Sequence, residues 1–206
     1  MSTQAPEKPA ARAGAEPSPE ATVYALDTTS IVVGTPNGPG IYLAPVGTAG
    51  PTDTTTAWPA AWSVLGYASD TGPVIGQNTN KQDIIPWQSM SPVRSVVTSR
   101  EITLQFILWQ LNQQTLSLYF NAAPGTLTTG TLVMPVKSAD AGKLYAVGLD
   151  VKDGSNILRI SATRANLTAN GNMAITRGAT VPLDCTLTML DDNGTTCTVV
   201  YGPNAT

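Results

Sequence analysis

Residues 87–120 read WQSMSPVRSVVTSREITLQFILWQLNQQTLSLYF, and two periodicities meet within them. Ile102, Leu104, Phe106 and Leu108 alternate with Glu101, Thr103 and Gln105, the period of two of a strand with one buried face. Asn112 then stands where a helix N-cap belongs, with Leu111 and Leu116 at the staple positions around it. Leu116, Tyr119 and Phe120 fall at i, i+3 and i+4, so a short helix carries one apolar stripe, and Pro124 with Gly125 is expected to close it. The stretch predicts a strand, a turn and one helix laid on a sheet.

Downstream, Tyr145, Val147, Leu149 and Val151 alternate into Asp153-Gly154, and Leu158, Ile160 and Ala162 alternate out of it, which predicts a hairpin. A connection from Asn166 to Thr180 leads to a second one. There, Val181, Leu183, Cys185, Leu187 and Met189 form one alternating face and Cys197, Val199 and Tyr201 another. A three-residue loop, Asp192-Asn193-Gly194, would pair Met189 with Cys197, Leu187 with Val199 and Cys185 with Tyr201. In that register the two sulfurs lie four residues apart, roughly 13 Å, so two buried free thiols are expected instead of a disulfide.

Upstream the punctuation is denser. Residues 1–22 are rich in Ala, Pro and Glu and hold no aromatic side chain, the composition of a flexible arm. From Val23 the chain turns apolar and is read as a single domain, 23–206. Thr35 to Gly40 is a tight connection and Ile41 to Pro45 a short strand. Between Gly47 and Gln82 turn signals recur, Asn78-Thr79-Asn80 among them, and only Val64 to Ala68 reads as a strand. Long loops of this kind are often functional. Trp58 and Trp62 within it are candidate anchors for a partner, or lids on the domain's own core.

Composition narrows the chemistry. A chain of 206 residues suits one well-filled core, and 12% charged residues with many Thr, Gly and Pro suits an all-β domain. A net charge of −3 gives no basic footprint for nucleic acid. No 18-residue apolar window and no signal-peptide pattern occur, so a soluble, non-exported chain is expected. The Asn-x-Thr triplets at Asn166, Asn193 and Asn204 are read as chance.

The chain has no histidine, which removes Ser-His-Asp and Cys-His nucleophiles and His-containing zinc sites, and two cysteines cannot complete a thiolate site. Glu101 is the one glutamate after Glu20, and the aspartates cluster near turns, so a catalytic carboxylate pair is not expected. Gly34 to Gly40 lacks the Lys-Ser/Thr ending of a phosphate loop. Asp150 to Asn156 fails as a calcium loop, since Lys152 takes the third ligand position, and is read as a solvated hairpin tip. No enzyme, metal or cofactor is implied. Such a protein acts by binding.

Trp87-Gln88-Ser89, Pro92-Val93-Arg94, Val97 to Glu101 and the Gln110 to Thr115 helix start resemble the major tail proteins of long-tailed phages of actinobacteria. Gly40 to Pro45, Trp62 to Tyr67 and Val200-Tyr201-Gly202 extend the resemblance over most of the chain after residue 38. It departs at Asn121 to Gly125, where a glycine run is expected. The resemblance implies a tail-tube-like β-barrel or sandwich with one flanking helix, a long loop and a flexible N-terminal arm. It implies homohexameric rings stacked into a virion tail tube, made in the host cytoplasm, that delivers genomic DNA without specific binding and touches no membrane. Tape measure, tail terminator and baseplate or tip proteins would be the other partners. Arg94 and Arg100 with Glu101 become candidates for inter-subunit ion pairs, beside Trp58 and Trp62. The alternatives are a carbohydrate-binding β-sandwich module stacking sugars on Trp58, Trp62 and Trp87, or another virion component such as a tail terminator or head-decoration protein.

Overall fold

A computed structural model describes residues 32–33, 40–140 and 142–203; the expected N-terminal arm, 1–22, and the start of the domain at Val23 lie outside the described residues. The fold is mainly β, with 49% strand and one α-helix, in a sandwich-like sheet that does not close into a barrel. Its strands are β1 (Gly40–Pro45), β2 (Ser63–Val64), β3 (Val74–Ile84), β4 (Arg94–Leu108), β5 (Thr126–Thr128), β6 (Thr131–Val133), β7 (Leu144–Asp153), β8 (Asn156–Asn170), β9 (Leu183–Met189) and β10 (Thr198–Pro203). The helix α1 (Gln113–Tyr119) follows β4. The main sheet is ordered β2-β1-β7-β8-β9-β4-β3, with β10 also on β8, and its pairs are antiparallel. The β5–β6 hairpin stands apart, turned by Thr129 and Gly130, both at positive φ.

The alternation in β4 behaves as read. Ile102, Leu104, Phe106 and Leu108 are buried and sit opposite Met189, Leu187, Cys185 and Leu183 of β9, so the inward faces of both strands share one core. Val147 and Leu149 of β7, with Ile41 and Leu43 of β1, complete it. The hairpin of β7 and β8 turns at Gly154, as its flanking alternation predicts.

The helix begins where expected and ends elsewhere. Asn112 Oδ1 accepts from the amides of Gln114 and Thr115 at 2.9 and 2.8 Å, and Thr115 Oγ1 accepts from the Asn112 amide at 2.9 Å, a reciprocal capping box. Its end is set by Asn121 at φ 47°, where the Ala122 amide bonds Ser117 O and the Asn121 amide bonds Leu118 O, a Schellman closure that precedes Pro124-Gly125. Thr115, Ser117, Leu118 and Tyr119 are buried and Leu116 packs half-buried against the core; Phe120 and Leu111 are exposed, so no staple forms through Leu111. One turn of helix rotates the stripe about 100° per residue, and burying Tyr119 with Leu118 turns Phe120 outward. Tyr119 Oη donates to Gly171 O at 2.7 Å, and the Asn170 side chain donates to Tyr119 O, which ties α1 to the end of β8.

Three other expectations are corrected. The 47–82 segment is not one loop: β2 is limited to Ser63–Val64, with a bridge from Ala68 to Leu108, and Asn78-Thr79-Asn80 lies within strand β3. The connection after Asn166 is shorter, because β8 runs to Asn170. The last two strands do not pair with each other. Along one edge of β8, β9 spans residues opposite 165–170 and β10 those opposite 156–161, so β10 resumes the line that β9 leaves. Between them Asn193 and Gly194, both at positive φ, make a two-residue turn closed by Asp192–Thr195 bonds of 3.0 and 3.1 Å. Such a turn adds a kink to the line where a hairpin was expected. Both cysteines are free, Cys185 fully buried and Cys197 half-buried.

Candidate assembly surface

Strands β3 and β4 run together well past the body of the sheet. Their register extends from Val74↔Gln105 to Ile84↔Arg94, with a bulge at Asn80/Lys81. On the other side of β4, β9 reaches only Ile102. Beyond that point the two strands form an arm whose two outer edges, among the described residues, carry no strand. Nearly every side chain of the arm is exposed, Ile84, Ile85, Val93, Val96 and Val97 included. At its tip Trp87 is 98% and Met90 102% exposed. An isolated two-stranded ribbon is at best marginally stable in water, and bare strand edges template further pairing. The arm has the form of a surface awaiting a partner.

Arg94, Arg100 and Glu101 all lie on this arm or at its root. Arg94 is the last paired residue before the tip. With the Gln77 side-chain amide turned so that its oxygen faces Arg100, that oxygen accepts from Arg100 Nε and Nη2 at 3.0 Å each, across the β3–β4 pair. Glu101 accepts from Thr188 Oγ1 at 3.2 Å. All three are exposed. Arg100 and Glu101 are adjacent in sequence and so face opposite sides of the ribbon.

Trp58 and Trp62 lie elsewhere and point inward. The strap 47–62 crosses the second face of β1 and β7, where Trp62 is 7% exposed against Ala44 and Ala146. The Trp58 ring stacks on Tyr42 with centroids 4.4 Å apart and tilts against Trp62 at 4.7 Å. Trp62 Nε1 donates to Ala49 O at 3.0 Å, and Trp58 Nε1 donates to Asp150 Oδ2 at 2.8 Å. With Trp62 buried and Trp87 far off on the arm tip, the three indoles do not form the shared platform that sugar stacking needs.

Asp150, read from the sequence as part of a solvated tip, is 2% exposed at the centre of this packing. It faces Arg159 across β7–β8, with Nε 3.4 Å from Oδ1. Arg159 Nη1 also donates to Asp53 O at 2.9 Å and Thr56 O at 2.5 Å, clasping the strap to the sheet. Burial raises the Asp150 carboxyl above the ordinary carboxylate range, against the Trp58 hydrogen bond and the Arg159 charge, and it also raises the Tyr42 phenol. The sequence signal that could have found this cluster is the opposite charge at Asp150 and Arg159, nine residues apart across a predicted hairpin, which its turn places directly opposite.

Among the described residues no group of three or more metal-ligating side chains is placed to hold an ion, and no helix is long and apolar enough to cross a membrane. A search among curated proteins finds no match to the chain. A family of phage tail tube proteins does match, over residues 24–204, a span that covers the sheet, the arm and the strap. By that match the chain belongs to the phage tail tube protein family and is a structural protein of the virion tail.

Proposed function

We propose that six copies of the chain close into a ring, that rings stack into the tail tube of a long-tailed phage, and that the tube conducts the genome to an actinobacterial host. The observation that carries this reading is the β3–β4 arm, a long ribbon whose edges and apolar tip are left uncovered among the described residues. In a ring, neighbours would supply the missing edge strands and complete from several subunits the barrel that one chain leaves open. Head-to-tail contacts that do not close generate a filament.

Arg94, Arg100 and Glu101 are the charged contacts of this interface. Trp58 and Trp62 serve it by holding the strap in place from below. A net charge of −3 suits a lumen through which DNA slides without being held. Tape measure, terminator and tip proteins cap and time the polymer. The test is electron microscopy with sedimentation velocity across a concentration series. Hollow tubes or six-membered rings are expected, and a chain without residues 85–93 should stay monomeric; tubes of normal length from that deletion would remove the arm from assembly.

A further inference from the structure

The end of the molecule opposite the arm carries an apolar cleft of about 560 Å³. It lies between the last residues of β1, the first residues of β7 and helix α1, with Ala44, Val46, Ala61, Ser117 and Tyr145 on its walls. Four of the polar side chains there are already engaged. Gln113 Nε2 donates to Gly125 O at 2.6 Å, Ser117 Oγ to Ala122 O at 2.7 Å and Tyr145 Oη to Asn121 Oδ1 at 3.1 Å, while Lys143 Nζ lies 3.1 Å from Asp140 Oδ1. A polar ligand would find few groups free to recognise it, so the cleft suits an apolar occupant.

The direction of the strands places this cleft relative to the arm. β1 and β4 lie four antiparallel steps apart in the sheet and so run the same way, which puts the end of β1, the start of β7 and the helix after β4 at one end. The tip lies at the other end, beyond Arg94. From Arg94 to Leu108 alone the strand spans roughly 46 Å. One chain cannot bring its own tip to its own cleft along a straight ribbon, whereas a second copy translated along the strand axis can.

We propose that Trp87 and Met90 at the arm tip of one copy seat in this cleft of a second copy, an inference that rests on the assembly reading above. Trp87 supplies the rigid aromatic anchor, with roughly 150–250 Å² to bury, and Met90 the adaptable filler beside it. A knob and its socket at opposite ends of one chain make a heterologous contact that repeats without limit, which gives the polymer its direction.

The test uses the full chain under conditions where it forms tubes, with Met90→Cys and Ala61→Cys made separately and together. Mild oxidation should link the double variant into a ladder of multimers and a mixture of the two single variants into dimers, with neither single variant nor the unsubstituted chain linking alone. Trp87→Ala should raise the concentration needed for assembly at least about tenfold while the monomer melts at an unchanged temperature. Tubes that form without cross-links, or an unchanged assembly threshold for Trp87→Ala, would overturn the docking and leave the tube reading intact. A chain that forms neither rings nor tubes at any concentration would overturn that reading and this one with it.

Discussion

Gly148 lies directly beneath the indole of Trp58: a Cβ added at 148 would fall 2.3 Å from Cη2 of the ring. The strap can seat its aromatic lid against β7 only because that strand offers no side chain there. Gly148→Ala is expected to lift Trp58 and destabilise the fold by about 1–3 kcal/mol, the usual penalty of overpacking. Urea unfolding followed by tryptophan emission measures it; an unchanged midpoint would mean the strap yields freely.

The clasp beneath the lid should show strong coupling. Arg159→Met leaves Asp150 buried without its cation, and Asp150→Asn does the converse, each costing about 3–5 kcal/mol. The double variant should cost clearly less than both together, because no buried charge is left uncompensated. A double-mutant cycle by chemical denaturation reads the coupling, and simple additivity would show that the two groups do not act as a pair.

Acid should loosen the strap. Asp53 accepts hydrogen bonds from the amide and hydroxyl of Thr56 and from those of Thr55, which hold its carboxyl well below the usual range. A depressed folded-state value means that Asp53 stabilises the fold above its ordinary value of about 3.9 and that this contribution is lost as pH falls below it toward the folded-state value. Asp53→Asn should flatten that acid limb in a titration of thermal stability. The same slope in both proteins would place the acid sensitivity elsewhere.

The helix termini offer two local tests. Asn112→Ala removes the acceptor of the capping box and should cost about 0.5–2 kcal/mol. At Asn121, with φ 47°, Gly and Ala both lose the hydrogen bond from Tyr145 Oη, and Ala should be less stable than Gly by about 1 kcal/mol, since an L side chain resists the left-handed conformation. Thermal melts of the three variants should order them accordingly.

Thiol chemistry distinguishes the cysteines. Burial, and secondarily the charge of Asp184, pushes the Cys185 thiol up to about 12, and no part of it reaches solvent. With Ellman's reagent near pH 8 the native chain should release at most one equivalent, from Cys197, and the second only on unfolding. Two equivalents from the native protein would show that the β4–β9 core opens readily.

Much of the fold was legible because its signals are local. The buried face of β4 announces itself by alternation, the start of α1 by Asn112 and the β7–β8 hairpin by two alternating runs around Asp153-Gly154. The misread parts share a cause. Strand β3, VIGQNTNKQDI, is exposed on both faces, so it has no apolar alternation to display and its Asn and Thr mimic a loop. The helix stops before Pro124-Gly125 because Asn121, a weaker stop signal than proline or glycine, adopts the left-handed conformation first.

Residue order alone therefore determined where one face had to be buried, where a helix could begin, and the resemblance that pointed to a tail tube; the cysteines are free, but the hairpin register from which that was expected does not form. Tertiary structure decided which strand β10 joins, how far the arm projects, and that Asp150 leaves water for Arg159 and Trp58. Periodicity reports whether a side chain is buried, whereas the identity of its neighbour depends on contacts between residues distant in sequence. Those contacts form only when the sheet assembles, and they are what turned Trp58 and Trp62 inward and left Trp87 exposed at the tip.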